Sequence, residues 1–243
     1  MDLTIDIGNS NLKLGLFKSG KLKSMHKLNI INHQKLLQYA IKRKVENVIV
    51  SSVKTSNPFF SPRLKKYFRN FIELSSNTPL PIKIRYKSPT TLGRDRIAAA
   101  VGGNYLFPGK NILIIDIGSA ITFDVVTKNK EFIGGNISPG MNMRFRALNY
   151  FTNQLPLYQH TKEHNFLGQD TKEAIISGVQ TGIIFELERY IESIKANYAP
   201  SEIIITGGDS KFFDNKLKYH IFAEPNLVNL GLYKILKHNL YEY

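Results

Sequence analysis

Two aspartate-glycine turns carry the first chemistry legible in this chain. Asp6-Ile7-Gly8-Asn9-Ser10 ends one short apolar run, and Asp116-Ile117-Gly118-Ser119-Ala120 ends another. Glycine in such a turn lets the backbone bend tightly and expose N–H groups, and no Cβ holds off a phosphate. A carboxylate does not bind phosphate directly, so the natural role of Asp6 is to hold a hydrated Mg²⁺ that bridges phosphate oxygens. Asn9, Ser10 and Lys13 add donors and one positive charge. The plain alternative is that Asp6 bonds only its own turn backbone, as turn aspartates do. The duplication of the turn weighs against it.

A third carboxylate stands in a different setting. Gly93-Arg94-Asp95-Arg96 precedes Ile97-Ala98-Ala99-Ala100-Val101, a run that should start a helix, with Thr90 or Thr91 available to cap it. Asp95 then lies in the first turn, where the helix dipole favours an anion. A carboxylate fixed there can receive a hydroxyl proton, and Arg96 can pair with an anionic group or a phosphate. Taken singly, the segment reads equally as an ordinary acidic first turn with a surface Arg pair.

Two other patterns imitate known motifs. Gly15-Leu16-Phe17-Lys18-Ser19-Gly20-Lys21 fits the opening of a P-loop, but Leu22 follows where a hydroxyl is needed and no helix comes after it. His160-Thr161-Lys162-Glu163-His164 has the spacing of an inverted zinc-peptidase signature, yet it sits between Pro156 and Gly168 with no helical pattern around it. A loop with solvated histidines is the expectation there.

The elements that would position these groups follow from periodicity. Leu3 to Ile7, then Leu12, Leu14 and Leu16 in alternation, then a polar run to about Leu28 read as three strands, with a hairpin turn at Lys18 to Lys21. Leu36, Leu37, Ala40 and Ile41 have helical spacing, and Val48-Ile49-Val50 is a buried strand. The same order restarts at Ile112, and one common offset carries Asp6 onto Asp116, Gly8 onto Gly118 and the turn at Ser19 onto Asn129. A third strand, Glu131 to Asn136, and a helix opened by Pro139 continue the second copy. A long helix from about Thr171 to Ala196, a strand at Ile203 to Ile205 and a last helix near Leu227 to Leu240 complete it. The chain therefore reads as duplicated halves joined near Pro108-Gly109, domains 1–110 and 111–243, with a cleft between them of the kind that takes small ligands.

Composition narrows the class. The 243 residues are 42% hydrophobic, enough for a core, and the absence of cysteine excludes a disulfide framework, a thiolate zinc site and cysteine nucleophiles. No basic start with an apolar run marks a secretory signal, and no apolar stretch approaches the ~18 residues of a membrane span. The expectation is a soluble, cytoplasmic protein. Lys plus Arg is 33 against 19 Asp plus Glu, a net +14 that would attract polyanions. The basic residues are scattered, without a dense run interleaved with aromatics, so a solvated basic surface is expected rather than a nucleic-acid groove.

Taken together, Asp6-x-Gly-Asn-Ser-x-x-Lys13, Tyr86 ahead of Gly93-x-Asp95-Arg96, Asp116-x-Gly-Ser-Ala-x-Thr-x-Asp124 and Gly134-Gly135-Asn-Ile-Ser-Pro139-Gly140 resemble the type III pantothenate kinase family. Thr171 and Ile205-Thr206-Gly207-Gly208 extend the likeness into the C-terminal half. The resemblance implies an α/β fold of duplicated ribonuclease-H-like domains, shared with actin, sugar kinases and heat-shock chaperones. It implies ATP-dependent phosphorylation of pantothenate at its primary hydroxyl, the first step of coenzyme A synthesis.

At matching positions it implies Asp6, Gly8, Asn9, Ser10 and Lys13 for the ATP phosphates, with Asp6 reaching Mg²⁺ through them, and Ser119 as a further nucleotide contact. Asp95 would be the proton acceptor. Tyr86, Gly93, Arg94, Asp95, Arg96 and Thr171 would contact pantothenate, and Asp116 would hold a monovalent cation, K⁺ or NH₄⁺. Family members typically have Thr at Ser119 and some have Thr at Ile121; Ser119 keeps the hydroxyl and Ile121 does not. A homodimer is also implied, with the helix after Thr171 at its interface, although Ile175, Ile176, Val179, Ile183 and Ile184 read equally as core. Two other readings stay open: a kinase of the same superfold acting on a sugar or another acid, and a catalytically silent regulatory or nucleic-acid-binding homologue. The charge favours the last, which leaves Asp6, Asp95, Asp116 and Asp124 unexplained.

Overall fold

The computed structural model describes residues 1–9, 11–28, 33–52 and 65–241. Ser10 lies outside the described residues. In chain order the elements begin β1 (Asp2–Ile7), β2 (Leu12–Lys18), β3 (Lys21–Leu28), α1 (His33–Lys42), β4 (Asn47–Ser52), β5 (Asn70–Glu73), β6 (Lys83–Ile84) and α2 (Arg94–Leu106). They continue β7 (Ile112–Ile117), β8 (Ala120–Val126), β9 (Glu131–Pro139), α3 (Met141–Phe151), α4 (Thr171–Tyr198), β10 (Glu202–Thr206), α5 (Ser210–Phe213), β11 (Phe222–Ala223) and α6 (Leu227–Tyr241).

These elements form two compact units. The first holds Met1–Gly109, Lys128–Ile133 and Asn226–Tyr243, and the second holds Lys110–Thr127 and Gly134–Pro225. A simple division at residue 110 places α6 in the second half, whereas α6 packs in the first unit, against α2, β1 and β4.

The sheet of the first unit has the order β3-β2-β1-β4-β5, antiparallel from β3 to β1 and parallel from β1 to β5. Alternation sorts its two faces. Leu3, Ile5, Leu14, Leu16, Val48 and Val50 turn to a core that includes Leu36 and Ala40 of α1. Thr4 turns the other way, where its Oγ1 accepts from Asn229 of α6 at 2.9 Å. The edge strand β3 carries Lys21, Lys23 and Lys27, charges that discourage pairing with another edge.

In the second unit the order β11-β10-β7-β8-β9 repeats that pattern. Antiparallel β7 and β8 stand for β1 and β2, and parallel β7, β10 and β11 stand for β1, β4 and β5. The offset that carries β1 onto β7 at both ends also carries the start of β3 onto the start of β9. Ile112 to Ile115 are all 0% exposed, because both faces of β7 are covered, and that is why the run shows no alternation. Strand β9 runs through Pro139, so Gly140 rather than Pro139 precedes the helix that Met141 opens.

Helices α2 and α6 make close backbone contact. A Cβ on Gly231 would stand 1.7 Å from the Ala98 carbonyl oxygen, and one on Gly102 would stand 2.6 Å from that of Leu227. The small run Ala98 to Gly103 is fully buried for this reason: helix separation is set by the side chains at the crossing. Gly231→Ala is expected to cost about 3 kcal/mol of stability, since backbone and not a flexible side chain must move. Urea unfolding of the variant beside the native chain measures it. Among the described residues no helix is long and apolar enough to cross a membrane.

Candidate active site

In the first unit Asp6 stands opposite Lys13 of β2 and Ser51 of β4. Side chains of register partners share a face, so a carboxylate, an ammonium and a hydroxyl meet at one end of the sheet. Asp6 is 7% exposed. Burial pushes its carboxyl up from 3.8 to about 6; the Lys13 ammonium opposes the rise and the Asp95 carboxylate adds to it. The structure therefore brings Asp6, Lys13 and Asp95 within electrostatic reach.

The turn glycines behave differently from expectation. Gly8 N–H donates to the Asn11 carbonyl at 3.0 Å, and Gly118 N–H donates to that of Ala120 at 2.9 Å. Neither glycine has positive φ. The antiparallel ladder continues into each turn and consumes these two donors, so an arriving phosphate would use other turn groups, among them the exposed Asn9.

Asp95 occupies the first turn of α2, as its sequence suggests, but no threonine caps the helix. Gly93 is the N-cap, and Thr91 sits in a short 3₁₀ turn, Pro89–Thr91, its hydroxyl bonded to Ser88. Asp95 Oδ1 accepts from the Arg96 N–H at 2.9 Å, which fixes the carboxylate over the helix start. A Cβ on Gly93 would come within 2.5 Å of that oxygen, so glycine is what leaves it room. Arg96 is 6% exposed and not the surface residue of the plain reading. Its guanidinium carbon lies 5.8 Å from the Tyr86 ring and 5.6 Å from that of Phe132, a cation held against aromatic faces. Tyr86 is placed by β6, which pairs with the start of β9 and continues as Arg85 N–H donates to the Phe132 carbonyl at 2.8 Å. Arg94 Nη1 donates to the Ser52 carbonyl at 3.2 Å, tying α2 to the end of β4.

In the second unit Asp116 is the last residue but one of β7, and two glycines close around the turn that follows. Gly140 N–H donates to the Ser119 carbonyl at 3.1 Å, and a Cβ there would stand 2.1 Å from the Gly118 carbonyl oxygen. Gly207 has φ +100°, and a Cβ on it would stand 2.2 Å from the Ile117 carbonyl oxygen and 2.5 Å from Asp116 Oδ1. Only glycine permits both the conformation and the approach. Asp124 is buried and accepts from the Thr122 hydroxyl at 3.2 Å. Thr171 is exposed at the start of α4, whose N-cap Asp170 accepts from the Glu173 N–H at 2.7 Å. Asp170 and Lys172, on either side of it, line a groove of about 610 Å³ with Glu163 and His164.

A profile of the type III pantothenate kinase family matches residues 2–193. The chain is 42% identical to the type III pantothenate kinase of Phocaeicola vulgatus over 239 residues, 98% of this chain and 99% of that one. The chain belongs to this family. Among solved structures, a protein of Campylobacter jejuni described as a proposed Baf family transcriptional activator is similar at 27% identity and TM-score 0.64, covering 98% of both chains. A proposed 2-dehydro-3-deoxygalactonokinase of Sinorhizobium meliloti shares the fold at 10% identity and TM-score 0.63, covering all of both.

Several features of this type III pantothenate kinase family member depart from the sequence expectations. His160 and His164 lie in a loop; His160 is exposed, as expected, but His164 is half-buried and not simply solvated. His164 Nδ1 faces Gln180 Nε2 at 2.8 Å, its Nε2 lies 2.9 Å from the Thr181 hydroxyl, and His160 packs edge-on against Phe212. Burial, with the nearby Lys216 charge, lowers the His164 pKa. Among the described residues no three His, Asp or Glu side chains converge as a metal site. Ile121 is fully buried, so its side chain serves the core. Nothing local in the sequence marks Ser51, and the motifs that contain Gly140 and Gly207 do not say what these glycines do, because all three depend on strands and turns distant along the chain.

Proposed function

We propose that the chain transfers the γ-phosphoryl group of ATP to the primary hydroxyl of pantothenate, giving 4′-phosphopantothenate. The observation that carries this reading is Asp95, fixed at the start of α2 with its charge felt by the buried Asp6. The hydroxyl oxygen attacks the γ-phosphorus, the bond to the β,γ-bridging oxygen breaks, ADP leaves, and the proton passes to Asp95. Such a transition state is loose, so positioning matters more than base strength.

Asp6 suits Mg²⁺ carried by the phosphates: it is a buried carboxylate beside one cation and a hydroxyl that has no partner. When bound, the ion neutralises phosphate charge. Lys13, Asn9 and Ser10 supply further phosphate contacts in this reading, and Ser119 a nucleotide contact. Arg96, braced by Tyr86 and Phe132, pairs with the pantothenate carboxylate, and Gly93, Arg94 and Thr171 complete the pantothenate contacts. A coupled assay tests the whole: ADP release should require both Mg²⁺ and pantothenate. Release driven instead by a sugar would transfer the assignment to another kinase of the superfold, and the absence of any turnover would favour a silent regulatory homologue.

Asp116, with the Ile117 carbonyl and the backbone at Gly207 drawn close, suits a larger, weakly hydrated cation such as K⁺ or NH₄⁺. Exchanging Na⁺ for K⁺ at constant ionic strength is expected to raise turnover several-fold, and Asp116→Asn to erase the response. Equal rates in the two salts would mean that Asp116 holds no activating cation. A cytoplasmic homodimer completes the reading. Ile175, Ile176, Val179 and Ile183 are core residues and not available to it, whereas Met143, Tyr150, Phe151, Phe166, Leu167 and Phe185 are exposed apolar residues of the second unit. Sedimentation equilibrium should return twice the chain mass.

A further inference from the structure

Asp6 has a neighbour to which neither the motif nor its spacing assigns a role. Strands β1 and β4 are parallel, with Asp6 in register with Ser51. Leu3, Ile5, Val48 and Val50 fill the opposite face, so alternation puts the Asp6 and Ser51 side chains together. Ser51 is 0% exposed, and its Oγ has no hydrogen-bond partner. Of the four such buried atoms among the described residues, the others being on Tyr39, Thr127 and Asn229, only Ser51 is the register partner of a candidate site residue. A buried hydroxyl without a partner is a cost that alanine would avoid in the same space. Its presence calls for a partner that arrives later.

The duplicated unit repeats the pairing. Strands β7 and β10 are parallel, and Thr206 stands in register with Asp116. Each turn aspartate thus has a buried hydroxyl residue beside it on the neighbouring parallel strand, Ser51 in one unit and Thr206 in the other. Hairpin partners differ: Lys13 faces Asp6, and Thr122 faces Asp116.

We propose that Ser51 is a positioning residue for Asp6, its hydroxyl donating to the carboxylate when Mg²⁺ and nucleotide are bound and so fixing which carboxylate oxygen faces the hydrated ion. The inference rests on the ATP and Mg²⁺ reading of Asp6 given above. Neighbouring strands are about 4.8 Å apart, so a χ1 rotation of two short side chains is enough to bring donor and acceptor together. The end of β4 is held for this task, since the Ser52 carbonyl accepts from Arg94 of the helix that carries Asp95.

The test uses the full chain with Ser51→Ala, Ser51→Cys and Ser51→Thr. Calorimetry of ADP binding across a Mg²⁺ titration, without pantothenate, is combined with thermal unfolding of the ligand-free proteins. Alanine should leave the midpoint unchanged or higher yet weaken Mg²⁺-dependent ADP binding about tenfold. Cysteine, similar in size but a poor donor, should weaken it in the same direction. Threonine, which restores the hydroxyl, should bring binding back to within about twofold of the native chain. Native-like Mg²⁺-dependent binding in the folded Ala or Cys variant overturns the positioning role and leaves the kinase reading standing. A native chain that binds no ADP with Mg²⁺ overturns both.

Discussion

Asp95→Asn lowers phosphoryl transfer by at least ~100-fold and leaves pantothenate binding within about tenfold, or ~1.4 kcal/mol. Asparagine keeps the size of the side chain and can still accept from the Arg96 N–H, so the start of α2 stays as it is. It cannot take the hydroxyl proton. The braced Arg96 is untouched, which is why binding survives. Single-turnover rates and calorimetry on one preparation separate the two quantities. Near-native turnover would remove Asp95 from the mechanism, whatever the binding result.

Asp6→Asn is expected to give a protein that is more stable and almost inactive. The Asp6 carboxyl, at about 6 in the folded state, lies above its ordinary 3.8 because burial disfavours the charge. The folded protein therefore holds this proton more tightly than the unfolded chain, and keeping Asp6 ionised at pH 7 costs about 3 kcal/mol. That cost is fully present above the folded value and fades as pH falls toward the unfolded one. The variant should exceed the native chain by up to about 3 kcal/mol at pH 7 and match it near pH 4, while turnover drops at least ~100-fold with the loss of phosphate positioning. Urea unfolding of the nucleotide-free proteins at both pH values, with turnover per folded molecule, is the measurement. Lower stability at pH 7 with turnover preserved would make Asp6 a turn residue only.

The contrast between legible and illegible features follows from the range of the interactions. The two Asp-x-Gly turns and the strands around them are readable because alternation and turn chemistry are local. Their constant offset along the chain exposes the duplication that the strand orders repeat. Thr91 fails as a cap because a 3₁₀ turn and Gly93 intervene, a choice that neighbouring residue types do not dictate. The amides of Gly8 and Gly118 are not open to a phosphate because the hairpin ladder, not the motif, decides which donors remain. Membership of α6 in the first unit rests on Gly231 meeting Ala98, residues far apart in sequence. Ser51 is invisible in the sequence for the same reason: its relation to Asp6 exists only through a parallel register.

In the proposed reaction a primary hydroxyl of pantothenate receives the phosphoryl group. Phosphorus and proton NMR of a reaction containing the chain, ATP, Mg²⁺, K⁺ and pantothenate reads this directly. A new phosphate monoester signal coupled to the methylene protons of that hydroxyl should grow in step with ADP and be absent with Asp95→Asn. ATP left intact, or ADP accompanied only by inorganic phosphate, would contradict it.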